Sequence, residues 1–534
     1  MKNRTAYSVQ RTALAVVSAA LLVLSFPGFN LWILAWMALI PLFFAVDGQR
    51  PLKAFLAAYL TGFLFFLGTM YWLIHVTLPG MLVVVAYLAL YFGFFGLIVN
   101  IFLRMTNDEQ RLPAEALAKA GMTNFSLLFV IPAAWVALEW IRAHALTGFG
   151  WNFLGYSQSP NLPVIQIADM SGVYGVSFLV VIFNAAIYMF IKNFKRDSDA
   201  YIPVAAVVIT LLVVFGYGVL RLNNVFTGER LKVALVQGNI PQDQKWDRRF
   251  ADMILSRYEG LTRKAALEKP DLVIWPEASV PGFVEDEEEL SSRVVRLAKD
   301  INTPLLVGSP RYEKSAEGAS YYNSAFLFLK DGSVGGRYDK VHLVPFGEYV
   351  PLKGLFFFVH KFAPRPIGDF AAGKAFTVLK FPMTRMANDN NYRWKLVKNV
   401  AFSPLVCFVD MFPDLARQFA RGKIDFLVNI TNDGWFGHSS AAYQHAQASV
   451  FRAVENRINV LRAANTGLSC FIDQKGRING RVAHGKMDLF VSGFKVSEII
   501  LSRTGTVYAV YGDVFAYACM IFAVLSFVIF FKRS

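Results

Sequence analysis

The chain has 534 residues, of which 55% are apolar, 15% aromatic and only 17% charged, and its mean hydropathy is +0.41. That composition excludes an ordinary soluble globule and points to the membrane class. The formal net charge of +15 suits a protein lying on anionic lipid; no basic helix or aromatic RNA motif accompanies it, which argues against nucleic-acid binding.

A hydrocarbon core about 30 Å thick needs about 20 apolar residues at about 1.5 Å each. On that ruler the sequence predicts eight spans, at 12–28, 31–46, 54–76, 82–103, 125–141, 171–191, 201–220 and 507–531, with Pro27 and Pro41 interrupting the first two. The first segment lacks a clear small-residue cleavage site and reads as an anchor rather than a signal peptide. Lys2, Arg4 and Arg11 precede it. Arg50 and Lys53, then Arg104, Arg111 and Lys119, then Lys192, Lys195 and Arg196 occupy alternate loops, and Lys532 and Arg533 lie in the tail. The intervening loops carry only Arg142. The basic segments therefore share one side, the cytoplasm, which sets both termini inside and the long segment after the seventh span outside. The expected organisation is a bundle at 1–220, a globular domain at 221–506, and a final helix with its tail at 507–534. Glu139 and Arg142, at the outer end of the fifth span, are costly in hydrocarbon and are expected to face the bundle or the interface. The spans show no pair of broken, ion-lined helices of the transporter kind.

The globular segment predicts strands at 231–237, 271–277, 304–309, 323–329, 403–408, 425–430, 458–464 and 468–473, with helices at 251–268, 287–300 and 441–456. Strand–helix alternation followed by strand pairs argues for a layered α/β sandwich. In such sheets chemistry gathers beyond the carboxyl ends of the strands. Glu277 closes "LVIWPE", Lys340 lies in "GGRYDKVHLVPFGEYVP", and Cys407 lies in "SPLVCFVD". Taken singly, these are a strand cap, a surface lysine and a small buried hydrophobe. Taken together they form a chemical set. A thiol attacks only as thiolate, so it needs a base and nearby positive charge; Glu277 takes the proton, and Lys340 stabilises the thiolate and an oxyanion.

Other signals are weaker. "EDEEE" (285–289) is a helix start favoured by the helix dipole. His438 and His445 lack the spacing of a zinc site, and no metal or cofactor is expected. "GSVGGR" (332–337) reads as a turn without the lysine and serine of a phosphate loop. The basic stretch 383–400 reads as a solvated excursion or an arm touching anionic headgroups. Three cysteines are too few for a disulfide framework.

"WPEASVPG" (275–282), "YDKVHLVPFGEYVP" (338–351), "LVCFVDMFPDLAR" (405–417) and "NITNDGWFGHSSAAYQHAQASVFRAVENRINVLRAANTG" (429–467) resemble the Glu–Lys–Cys enzymes of the nitrilase superfamily. With "ALEWIRAHALTGFGWNFLGYSQ" (137–158), "ADMSGVYGVSFLVVIFNA" (168–185) and "VQGNIPQDQKW" (236–246), nearly the whole chain resembles its membrane-embedded branch, the apolipoprotein N-acyltransferase family. The resemblance implies a multi-span α-helical membrane bundle carrying a nitrilase-like αββα sandwich. It implies Glu277 as general base, Lys340 as oxyanion and thiolate stabiliser, Cys407 as nucleophile and Glu348 as support for the lysine. It also implies substrate binding by Trp246, Phe408 and Trp435, Trp246 on a mobile arm; an interfacial anchor is the plainer reading of that tryptophan. The implied donor is a membrane phospholipid and the acceptor a diacylglyceryl-modified apolipoprotein, served by a monomer in the bacterial inner membrane with its domain on the periplasmic side. One departure stands out: where the family usually has Cys-Tyr-Glu, this chain has Cys407-Phe408-Val409, and Asp410 is not an obvious substitute because adjacent strand positions point to opposite faces. The rival readings are a membrane-tethered amidase hydrolysing small amides and a non-catalytic scaffold or receptor with a decayed site.

Overall fold

The computed structural model describes residues 2–109, 124–195, 199–315, 318–349, 369–386, 394–502 and 504–531. The chain divides into two compact units, Met1–Asn223 with Tyr511–Ser534, and Asn224–Val510.

The first unit is helical. Among the described residues five helices are long and apolar enough to cross a membrane: Pro51–His75, Leu78–Arg104, Ser126–Thr147, Ala168–Asn193 and Ile202–Asn223. Three shorter apolar stretches accompany them, Ser8–Leu24, Trp32–Val46 and Val514–Ile529. The span expected at 31–46 is broken into a 3-10 turn, Trp32–Trp36, and a short helix, Ile40–Val46. Pro41 explains the break, because it is tolerated in the first turn of a helix but not further in. Helices Pro51–Met70 and Leu78–Glu109 approach closely through glycines: a Cβ on Gly96 would lie 2.2 Å from that of Ala58. Glu139 and Arg142 are buried in the bundle. Arg142 Nη1 donates to the Trp151 carbonyl at 2.8 Å and its guanidinium lies over Phe66 and Phe153; Glu139 Oε1 accepts from Leu154 N at 2.7 Å. Arg111, Lys119, Arg196, Lys532 and Arg533, which figure in the charge pattern, lie outside the described residues.

Among the described residues the second unit holds two six-stranded sheets. The first has the order β12-β1-β2-β3-β4-β5, built from Gly493–Leu501, Glu229–Gln237, Leu272–Ile274, Leu305–Ser315, Gly318–Phe328 and Val334–Asp339. The second has the order β11-β10-β9-β8-β7-β6, built from Ile478–Arg481, Cys470–Ile472, Asn459–Ala464, Phe426–Thr431, Trp394–Val406 and Leu379–Met386. In each sheet three strands run parallel (β1-β2-β3 and β7-β8-β9) and antiparallel strands flank them. Strands β2, β8 and β9 are buried throughout, as apolar strands covered on both faces must be. Helices Ala251–Ala266 and Glu288–Ile301 cover the first sheet, where Leu255, Tyr258, Val294 and Leu297 pack on Val236, Val273, Trp275 and Val307. Helices Pro413–Ala420 and Ala441–Asn456 serve the second.

Several expected elements differ in extent. The strand at 271–277 shortens to Leu272–Ile274, leaving Glu277 on the loop beyond it. The supposed turn at 332–337 lies largely in β5, where Gly336 at φ 149° hides an edge strand behind turn-like composition. The basic stretch 383–400 lies largely in the β6–β7 hairpin, only 387–393 falling outside the described residues. Along β6, Leu379, Phe381 and Met383 are buried while Lys380 and Pro382 are exposed, the alternation of an edge strand on which proline is tolerated.

Candidate active site

Glu277, Lys340 and Cys407 each stand just past the carboxyl end of a strand, beyond β2, β5 and β7, and Asp433 stands likewise beyond β8. Three of the loops that carry site residues hold a non-glycine residue at positive φ: Ala278 at 44° after the glutamate, Phe346 at 60° before Glu348, and Cys407 itself at 54°. Such conformations cost on the order of 1–3 kcal/mol each and persist only where surrounding structure holds them.

On the first sheet the acid and the lysine are linked by an amide. Asn323 Nδ2 donates to Glu277 Oε1 at 2.7 Å and to Glu348 Oε1 at 2.8 Å, and Glu348 Oε2 pairs with Lys340 Nζ at 2.8 Å and accepts from Val344 N at 2.8 Å. Glu277 and Lys340 are buried. Burial pushes the Glu277 carboxyl up, Lys340 opposes that, and Glu348 adds to it. Burial pulls Lys340 down, but Glu348, Cys407 and Glu277 outweigh it and hold the ammonium above its ordinary value. Lys245 Nζ also reaches this side, donating to the Glu277 carbonyl at 2.8 Å.

On the second sheet the strand ends at Val406, and Cys407–Met411 form a 3-10 turn rather than more strand. The Cys407 carbonyl is held by Asn429 Nδ2 at 3.0 Å and by His445 Nε2 at 3.3 Å. His445 lies between two carboxylates, Nε2 on Asp410 Oδ1 at 2.8 Å and Nδ1 on Asp433 Oδ1 at 2.9 Å. Arg462 Nη1 pairs with Asp410 Oδ2 at 2.9 Å, and Ser449 donates to the same oxygen. Burial lowers the imidazole, but Asp410 outweighs it and raises His445 to about 9, so the ring is an imidazolium donating from both nitrogens. Burial would raise Asp410; His445 and Arg462 instead hold it below the usual carboxylate range.

Cys407 is half-buried, and the charges that act on its thiol include both groups of the first sheet. Burial pushes the thiol up and Glu277 pushes it further; Lys340 opposes them, and a hydrogen bond with Thr431 helps. Glu277, Lys340, Glu348 and Cys407 thus share one electrostatic field. Phe408 is buried and packs on Phe412, ring centroids 4.9 Å apart, with His342 beside it. Val409 is fully buried. Trp246 is 52% exposed, and Trp435 lies half-buried on the short turn Asp433–Phe436. The opposite-face argument about Asp410 fails, because a turn, not a strand, carries it; its carboxylate enters the network beneath the nucleophile. Sequence reasoning missed Lys245, Asn323, Asn429, Asp433 and His445 as site residues. Lys245, Asn429, Asp433 and His445 did lie inside motifs already singled out; Asn323 did not.

Two parallel-centred sheets with a thiol, an acid and a lysine gathered at their carboxyl ends define the class. The carbon–nitrogen hydrolase family matches residues 232–502, which places the domain in the nitrilase superfamily, and the apolipoprotein N-acyltransferase N-terminal domain matches residues 18–186. The chain is 41% identical to the apolipoprotein N-acyltransferase of Geobacter metallireducens, covering 98% of this chain and 95% of that one. It is 33% identical to that of Azotobacter vinelandii, over 88% and 86%. Among solved structures it is similar to an amidase from Nesterenkonia sp., at 19% identity and a TM-score of 0.36, covering 55% of this chain and 97% of that one. The chain belongs to the apolipoprotein N-acyltransferase family.

Proposed function

We propose that the protein transfers a fatty acyl chain from a phospholipid, through a thioester on Cys407, to the α-amino group of the diacylglyceryl-modified N-terminal cysteine of an apolipoprotein. In the first half-reaction Cys407 Sγ attacks the ester carbonyl while its proton passes to Glu277. Lys340, backed by Glu348, stabilises the oxyanion. The glycerol oxygen then leaves with the proton from Glu277, as a lysophospholipid. In the second half-reaction the amine attacks the thioester and gives a proton to Glu277, and the departing sulfur recovers that proton. Burial disfavours both the thiolate and the Glu277 carboxylate, which supports proton transfer concerted with formation of the S–C bond.

The single observation that carries the reading is the linked chain Glu277–Asn323–Glu348–Lys340 acting on the Cys407 thiol, in a chain related almost end to end to N-acyltransferases. We assign Trp246, Phe408 and Trp435 to substrate binding on the family's pattern. A monomer is proposed, with a bundle at 1–220, a periplasmic domain at 221–506 and a final helix and cytoplasmic tail at 507–534 in the inner membrane. The alternation of basic loops supports this orientation, and anchoring both substrates in the membrane favours their orientation for reaction.

The test is intact-mass measurement after incubation with phospholipid in mixed micelles, wild type beside Cys407→Ala. Wild type gains one fatty acyl group and the variant none; a diacylglyceryl-cysteine peptide added afterwards takes that mass on its amine. Release of a free acid with no acylated peptide would identify a hydrolase instead.

A further inference from the structure

Lys340 is not the only buried ammonium beside the thiol. Lys245 follows a tight turn, its backbone N–H on the Pro241 carbonyl at 3.2 Å, and its side chain is 2% exposed while that of the next residue, Trp246, is half in solvent. The chain thus drives the lysine inward at the point where it leaves the tryptophan outside. Nζ donates to the Glu277 carbonyl at 2.8 Å. Lys340 has a carboxylate at 2.8 Å; among the described residues Lys245 has none within ion-pair distance. A buried ammonium held by a main-chain oxygen is costly unless a compensating charge forms nearby. Among the described residues the titratable groups acting on Lys245 are Glu277 and Cys407, the two that exchange a proton in acyl transfer.

We propose that Lys245 is a second cation of the thiol site, which stabilises the negative charge passing through the Cys407 sulfur and whose discharge sets the alkaline limit of acyl uptake. The inference rests on the acyl-transfer reading. No bond to Lys245 forms or breaks: the thiol proton moves to Glu277 and then to the leaving oxygen, and the ammonium acts through its field. Burial lowers Lys245 to about 8, with Glu277 and Cys407 opposing, so the group is charged at neutral pH and loses its charge as the pH rises through that value. The charge serves the reaction below about 8 and is lost above it.

The experiment measures acyl uptake by the full-length protein from phospholipid–detergent micelles, by intact mass at short times, between pH 6 and 10, for wild type, Lys245→Arg and Lys245→Met. Wild type is expected to show a falling limb with its midpoint near pH 8. Lys245→Arg keeps uptake at neutral pH within about threefold and moves the limb beyond about pH 10, since a guanidinium stays charged. Lys245→Met is slowed about tenfold or more at neutral pH and has no limb near 8. If the methionine variant fails to fold, as judged by its melting temperature, the arginine variant decides. A limb that stays near 8 in Lys245→Arg, or a wild type without one, overturns the inference. So does undiminished uptake by Lys245→Met. A wild type that takes up no acyl group at all overturns the acyl-transfer reading and this inference with it.

Discussion

The two sheets of the globular unit share a plan, three parallel strands with antiparallel flanks, yet they equip the site differently. The first sheet supplies the acid, the lysines and Asn323, joined by a short chain of hydrogen bonds that ends at Val344 N. The second supplies the nucleophile on a strained turn, and beneath it a network of two aspartates, an imidazolium and an arginine, all buried. A proton acceptor has to be tuned, so its side is built from groups that change each other's charge. A nucleophile at positive φ has to be held, so its side is built from groups that fix backbone. Substitutions on the first side should therefore change rate more than stability, whereas those on the second should change both.

The largest effect tests the shared centre. Lys340→Met, which leaves Glu348 buried without its cation, should reduce acyl uptake by on the order of a hundredfold or more in single-turnover assays. Next comes the clamp. His445→Gln removes the cation between Asp410 and Asp433 and should cost on the order of 3–5 kcal/mol in chemical denaturation. The sign with pH is fixed: His445 is raised to about 9 from an unfolded value of about 6.5, so its contribution is complete below about 6.5 and lost as pH rises through 9. The stability gap between wild type and His445→Gln should accordingly narrow from pH 6 to pH 10, and a constant gap would refute the imidazolium. On the first side, Asn323→Ala should slow uptake by on the order of tenfold through kcat, with a melting temperature near wild type; a large loss of stability there would erase the contrast between the sheets. Val409→Glu, which restores the family's usual residue at a fully buried position, should lower the melting temperature. The smallest effect belongs to Trp246→Ala, within about 0.5 kcal/mol in stability because the side chain is half-exposed, with KM for the lipid substrate as the parameter that rises.

The sequence made Glu277 and Cys407 legible because each ends or follows an apolar run, and fully buried parallel strands announce themselves by continuous Val, Ile and Leu; Lys340, which follows the glycine-rich "GGRYD", was legible only through the motif around it. The edge strands were harder: β5 carries Gly335 and Gly336, β6 carries Lys380 and Pro382, and such residues protect an edge while imitating a loop. The turn at Cys407 was illegible for another reason, since no glycine marks its positive φ and the constraint comes from Asn429 and His445, 22 and 38 residues away. Lys245 and Asn323 were missed likewise, because their partners lie 32 and 46 residues off in sequence.

The pairing of β1 with β12, nine residues in unbroken register from Glu229 with Leu501 to Gln237 with Gly493, has a consequence for assembly. The opening strand of the domain bonds on one side to its closing strand, so during synthesis that edge stays open until more than 250 residues have followed. Closure at so large a separation is slow and leaves a sticky edge for other chains in the meantime. A ribosome stalled before residue 493 should thus yield an aggregation-prone chain, even though every residue assigned to the acyl-transfer chemistry has already been made.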